Sequence, residues 1–299
     1  METLFITGAG PRGVTGRLIK EYFEGKYNLL TPNSSELDLT NDESVANYFD
    51  EYHIDYVIHC ATFRPTSIHE GHFVDEELES NLRMYYALAA QAPRVKKMIY
   101  FGSGAEFDKS KDIIEVNENS FGKSIPKNKY GLGKYIMNSH AGKSSNIYNF
   151  RLFGTINKYE RPDKNVISNL CVKAIKNYPL RLKKNCKFSF VDIEDLLPLL
   201  DYALSHELIH HDYNLTNGQS LYLSEIGKII SRIANTDNQI YFEEDGFNRE
   251  YTGNNNRVKS EFAIEFTDIE YSIKKVYEYY KTISDIIDIE SIDKRWNNK

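Results

Sequence analysis

The sequence predicts an α/β protein whose parallel sheet is covered by helices on both faces. Three observations carry that expectation. Short apolar runs, "TLFIT", "YNLLTP", "DYVIHCA" and "VKKMIYFGS", recur through the N-terminal third, and strands this apolar are buried on both sides. Segments with helical spacing separate them, the alternation expected of parallel strands joined by crossover helices. Four glycines, Gly8, Gly10, Gly13 and Gly16, follow the first run directly, as a tight turn from strand into helix requires.

Taken in order, "TLFIT" reads as the first strand. "GRLIKEYFEG" then sets Leu18, Ile19, Tyr22 and Phe23 at helical spacing. "NDESVANYFDEY" reads as a helix with Asn41 or Asp42 as its N-cap. "DEELESNLRMYYALAAQA" is a longer helix before the fourth strand, which runs into Gly102 and Ser103. "KYGLGKYIMNSHA" reads as a further helix. Near the C-terminus, "DIEYSIKKVYEYYKTI" has amphipathic spacing, and its tyrosine stripe is expected to face a core.

Composition narrows the functional classes. A chain of 299 residues with 41% hydrophobic residues can bury a sizeable core. Its net charge of −6 offers no general attraction to phosphate backbones. The basic clusters "RVKK" and "RLKKNCK" are short and interrupted, so they read as solvated faces, and no nucleic-acid partner is expected. Cys60, Cys171 and Cys186 are far apart without CxxC spacing, which argues against a disulfide framework or a metal site. No apolar run approaches the ~18 residues that span a bilayer, and no basic leader precedes the first strand. The expectation is a cytoplasmic protein with no membrane partner.

Two motifs carry chemistry. Read from Gly8 the glycine spacing is GxGxxG, and read from Gly10 it is GxxGxxG; both frames share Gly10 and Gly13. In a parallel sheet, ligands bind beyond the carboxyl ends of the strands. A glycine turn there lets a pyrophosphate approach the backbone and the free N–H groups of the next helix. The second motif is Tyr130 and Lys134, four apart in a helical segment and so on one face. An ammonium beside a phenol favours phenolate, which suits an acid–base group serving a hydroxyl/carbonyl pair. By spacing alone this pair reads as a solvated helix face. The glycine turn and Ser103 at the end of the fourth strand favour the catalytic reading.

Together these residues resemble the extended short-chain dehydrogenase/reductases of the NAD(P)-dependent nucleotide-sugar epimerase/dehydratase group, nearest to GDP-fucose synthases and rhamnose-forming ketoreductases. The resemblance runs through "PRGVTG", "ELDLTNDESVANYF", "HCAT", "ESNLRMYYAL", "FGSGAEFD", "YGLGK", "FRLFGT", "FVDIEDLLPLL" and "YNLTNGQSLYLSEIGKII" in order. It implies a Rossmann-type sheet with helices on both faces and a smaller C-terminal substrate-binding lobe. Residues 1–155, rejoined by 186–215, would form the dinucleotide-binding domain, and 156–185 with 216–299 the lobe. Ser103, Tyr130 and Lys134 would be catalytic, with Asn81 supporting them. Gly8, Gly10, Arg12, Gly13, Gly16, Asp38, Ala61 and Lys134 would hold the cofactor. The resemblance also implies a nucleotide-sugar substrate and a homodimer.

The departures from the family pattern are informative. Two extra residues separate Thr7 from the Gly10 frame, which leaves the place of Gly8 open. The second strand is followed by Thr31, Asn33, Ser34 and Ser35, with Arg12 able to reach the same corner. That favours NADP(H), and NAD(H) stays open through Glu36. The family's dehydratases carry an Asp-Glu pair after the serine or threonine, where this chain has Gly104 and Ala105. GDP-fucose synthases use a cysteine and a histidine to epimerise beside the ketone; the matching residues here are Ala105 and Asn165. What remains suffices for reduction of a 4-ketosugar. Epimerisation at C4 through a transient ketone stays open, as does a non-catalytic dinucleotide-binding regulator, which the intact Ser–Tyr–Lys set argues against. His69 and His72 read as loop residues.

Overall fold

The computed structural model describes residues 1–11, 13–63, 73–237 and 240–297. The chain begins with strict alternation: β1 (Thr3–Thr7), α1 (Thr15–Phe23), β2 (Asn28–Leu30), α2 (Asp42–Glu51), β3 (Tyr56–His59), α3 (Phe73–Ala89) and β4 (Lys97–Ser103). It continues through β5 (Ile113–Val116), α4 (Lys129–Ala141), β6 (Ile147–Leu152), β7 (Gly154–Ile156), α5 (Val166–Ile175), β8 (Leu180–Leu182) and β9 (Lys187–Asp192). Then come α6 (Leu196–Ser205), β10 (Asp212–Leu215), β11 (Ser220–Tyr222), α7 (Leu223–Ala234), β12 (Ile240–Phe242) and β13 (Tyr251–Gly253). Helices α8 (Asn256–Phe262), α9 (Ile269–Thr282) and α10 (Ile289–Asn297) complete it.

The main sheet has the order β10-β6-β4-β3-β1-β2, and every pairing in it is parallel. Its strands alternate their side chains between two cores. Leu4, Ile6, Ile58, Ile99 and Phe150 pack under α1 and α6 against Leu18, Ile19, Phe23, Leu196 and Leu200. Phe5, Val57, Met98 and Tyr100 face α2, α3 and α4, meeting Val45, Phe49, Tyr85, Leu88, Met137 and Ala141. Each fully buried large apolar side chain stabilises the fold by about 1.5–3 kcal/mol relative to exposure, so both faces must be covered. Asn41 caps α2 through the Ser44 N–H. β1 lies between β2 and β3, where the winding of the chain reverses, and the crevice beyond the carboxyl ends of β1 and β3 is where such sheets take their ligands.

A second sheet, β11-β9-β13-β5 with β7 also on β9, and a small β12-β8 pair lie with α5, α7 and α9 around another core. Tyr277 and Tyr280 of α9 are buried there, whereas Tyr271 is exposed. The two layers are interleaved in sequence. β9 pairs in the second sheet, while Val191 at its end, Ile193, α6 and β10 pack on or pair in the main sheet. β5, from the first half of the chain, pairs with β13 near its end.

Candidate active site

The glycine turn closes the β1–β3 crevice. Gly8 has φ +69° and lies so close to β3 that a Cβ would sit 2.7 Å from Ala61 N; Cβ atoms on Gly13 and Gly16 would lie 2.0 and 2.5 Å from Gly8 O. A Cβ on Gly10 would meet no described atom within 4 Å. The close packing therefore falls on Gly8, Gly13 and Gly16, a set that neither of the two expected frames contains. Gly10 belongs to the two-residue expansion, where its carbonyl accepts the Gly13 N–H at 2.8 Å. Thr7 ties the strand ends together, its Oγ1 accepting the N–H groups of Cys60 and Ala61 at 3.1 Å and lying 2.8 Å from His59 Nδ1. The N-cap of α1 is Val14, whose side chain makes no capping hydrogen bond, and the first turn of the helix carries no acid. Its leading amides are thus left for an anion, and this cradle fits a dinucleotide pyrophosphate.

The expected adenosine-side residues are engaged locally. Asp38 is exposed; its carboxylate accepts from Thr40 Oγ1 and N at 2.7 and 2.9 Å, bonds that hold it below its ordinary range. Glu36 turns back on its own loop, accepting the Asn33 N–H at 2.7 Å. Arg12 lies outside the described residues, as do His69 and His72.

The chemistry-bearing residues meet where β4 ends and α4 begins. Asn128 caps α4 through the Gly131 N–H at 2.7 Å. Gly131 lets the helix press on the turn after β4, since a Cβ there would lie 2.6 Å from Ala105 O. Tyr130 and Lys134, one turn apart, line one crevice with Asn81. The Lys134 ammonium is buried and donates to Phe101 O at 2.7 Å. Burial, together with the Lys134 charge, presses the His59 imidazole down to about 3, so it stays neutral. All three amide functions of Asn81 are committed: it bonds both the N–H and the C=O of Phe63 and donates to Glu77 O. Asn81 thus clamps the chain leaving β3 onto α3.

Ser103 begins the tight turn of residues 104–107, its Oγ accepting the Ala105 N–H at 3.2 Å. The turn is locked from below by Glu106, whose Oε1 accepts the Ser103 N–H at 3.0 Å. Burial pushes the Glu106 carboxyl up, against the pull of the Arg151 guanidinium. Arg151, fully buried on β6, donates through Nε to Glu106, through Nη2 to Asp212 and through Nη1 to Asn214, each at 2.9 Å. The sequence reading missed both ends of this network, and it missed Tyr251, whose Oη lies 3.2 Å from Ser103 Oγ. A visible signal existed for Arg151, a lone cation inside the apolar strand "IYNFRL", because a buried charge needs a buried partner.

The model of the NAD dependent epimerase/dehydratase family matches residues 4–216. The chain belongs to that family. As a member of the NAD dependent epimerase/dehydratase family it is an NAD(P)-dependent enzyme. Its sequence is similar to that of GDP-L-colitose synthase from Yersinia pseudotuberculosis, 22% identical over 306 residues that cover 93% of this chain and 97% of the relative. Its fold is that of a GDP-mannoheptose C4 reductase from Campylobacter jejuni with NADP bound (TM-score 0.79, 16% identity, 94% of this chain and 98% of the other). It is equally that of UDP-glucose 4-epimerase from Thermotoga maritima with UDP-glucose (TM-score 0.80, 15% identity, 94% and 99%).

Within this family member, the positions expected to act on carbon-bound protons carry no base. Ala105 is buried in the serine turn. Asn165 stands at the N-cap of α5, and Asp163, two residues before it, has both carboxylate oxygens held by Arg161 at 2.6 and 3.0 Å. The loop around them lies against α1, where Arg17 stacks 3.8 Å from the centroid of the Tyr159 ring and Tyr159 Oη bonds Glu21. Among the described residues no helix is long and apolar enough to cross a membrane.

Proposed function

We propose that the protein reduces a nucleotide-linked 4-ketosugar with NADPH. The observation that carries this reading is that Tyr130 and Lys134 line one crevice and Ser103 ends β4, whereas Ala105 and Asn165, which have no ionisable group, stand at the positions matched to carbon-acid chemistry. A nicotinamide bound in this cradle would supply the hydride for the carbonyl carbon. Tyr130 gives its hydroxyl proton to the carbonyl oxygen, and the Lys134 ammonium on the same helix face stabilises the phenolate that remains. The Ser103 hydroxyl hydrogen-bonds that oxygen as negative charge grows on it. Gly8, Gly13 and Gly16 would hold the pyrophosphate, with Ala61 at the floor of the crevice.

The reading is tested by incubating the protein with a nucleotide-linked 4-keto-6-deoxyhexose and NADPH in heavy water and following the product by NMR. Clean reduction is expected, with no enzyme-dependent deuterium at the two carbons flanking the ketone. Deuterium entering either carbon faster than without enzyme defeats it, because abstraction there needs a base within ~3 Å. The neighbouring alternative, 4-epimerisation, predicts instead that a nucleotide hexose lacking a ketone interconverts with no net cofactor oxidation.

The loop after β2 supports the NADPH preference that we propose. Glu36 is the acid closest to the loop after β2, and its carboxylate turns back on that loop, with Oε2 accepting the Asn33 N–H at 2.7 Å. The adjoining Ser34 is exposed and uncharged. Calorimetric titration is expected to show NADPH binding more tightly than NADH; tighter NADH binding reverses the preference.

A further inference from the structure

Tyr251 reaches the serine from the far end of the chain. Its strand is pinned on both sides, with Tyr251 opposite Ile113 of β5 and Phe188 of β9. The Gly253 N–H donates to Ser189 Oγ at 3.1 Å, and Thr252 Oγ1 accepts the Glu115 N–H at 2.7 Å. The ring, 4% exposed, packs on Phe153 and Phe188 at centroid distances of 5.1 and 5.2 Å, with Lys109 Nζ 4.3 Å from its centroid. Gly104 faces it without a side chain, since a Cβ there would lie 2.8 Å from Tyr251 Oη. The phenol oxygen is therefore held beside Ser103 by the packing of its ring on Phe153 and Phe188 and by the room left at Gly104.

A serine oxygen has two lone pairs and one proton. The Ala105 N–H, shared with Tyr251 Oη, donates into one lone pair of Ser103 Oγ at 3.2 Å. A donor in the second leaves the serine's own proton free only toward a third partner. Burial keeps the Tyr251 phenol well above its ordinary pKa, so it carries its proton at any working pH. We infer that Tyr251 is a positioning residue for the ketone reduction: its hydroxyl donates to Ser103 Oγ and so aims the serine proton at the substrate oxygen. The inference rests on the reductase reading for that oxygen's identity, whereas the pairing itself stands on the geometry.

Tyr251→Phe removes one oxygen and keeps the ring contacts. In NADPH-dependent reduction of a nucleotide-linked 4-keto-6-deoxyhexose, its kcat is expected to fall about tenfold while KM holds, the loss of one aligned hydrogen bond. The Ser103→Ala/Tyr251→Phe double variant is expected to be no slower than Ser103→Ala, because the phenol acts through the serine. Wild-type kcat in Tyr251→Phe, or losses that multiply in the double variant, overturns the inference. A substrate-free readout stands beside it. In protein labelled with ¹³Cζ-tyrosine, the resonance absent from Tyr251→Phe is expected to shift in Ser103→Ala, and a line that stays in place overturns the pairing. A wild-type protein that reduces no nucleotide-linked 4-ketosugar defeats the reductase reading, and that resonance then decides the pairing alone.

Discussion

Tyr130→Phe is expected to turn over a nucleotide-linked 4-ketosugar about 10²–10⁴-fold more slowly than the parent protein while binding NADPH almost as tightly, since a positioned general acid contributes about that much. The substitution deletes the only proton that residue can give. It leaves α4 capped by Asn128 and leaves Lys134 bonded to Phe101 O. Cofactor oxidation followed by absorbance gives the rate, and calorimetry gives the affinity. Parent-like turnover removes Tyr130 from the mechanism. A joint loss of turnover and cofactor binding means that the ring holds the cofactor site together instead.

The second large effect is on stability. Glu106→Gln keeps the shape of the side chain and removes its charge, leaving the fully buried Arg151 with Asp212 as its remaining anionic partner. Taking one partner from a buried pair costs about 3–5 kcal/mol, because the other charge stays desolvated and under-compensated. The lower end is expected, since Asp212 is still 2.9 Å from Nη2. Urea unfolding should show a lower midpoint at unchanged slope. A change below about 1 kcal/mol, the range of exposed pairs, would mean that the network stabilises through shape and hydrogen bonds rather than charge.

The part of this molecule that the sequence makes readable is the part governed by local rules. β1 is buried at all five positions, as its apolar run requires, and Asn41 caps α2 where the polar residue before an amphipathic run should. The Tyr130–Lys134 spacing settles on one helix face because four residues make about one turn. The glycine turn is readable only in kind, because which glycines pack closely depends on how Gly8 meets the end of β3. Tyr251 is invisible for a different reason: β13 is three residues long, sits in the polar stretch "REYTGNNN", and owes its strand form to partners distant in sequence. Glu106 likewise becomes informative only once β6 brings Arg151 beneath it.

The pairing of β5 with β13 also sets when in its synthesis the protein becomes competent. N-terminal units tend to fold while the ribosome is still at work, at about 5–20 residues per second, so the main sheet's first strands can pair long before Tyr251 exists. Ser103 is therefore made early but waits about 7–30 seconds for Tyr251 to be translated. Until then the edge of β5 is unpaired and the pocket around Gly104 is open to water. A nascent chain that has not yet reached β13 would carry the cofactor cradle before its reaction centre is complete.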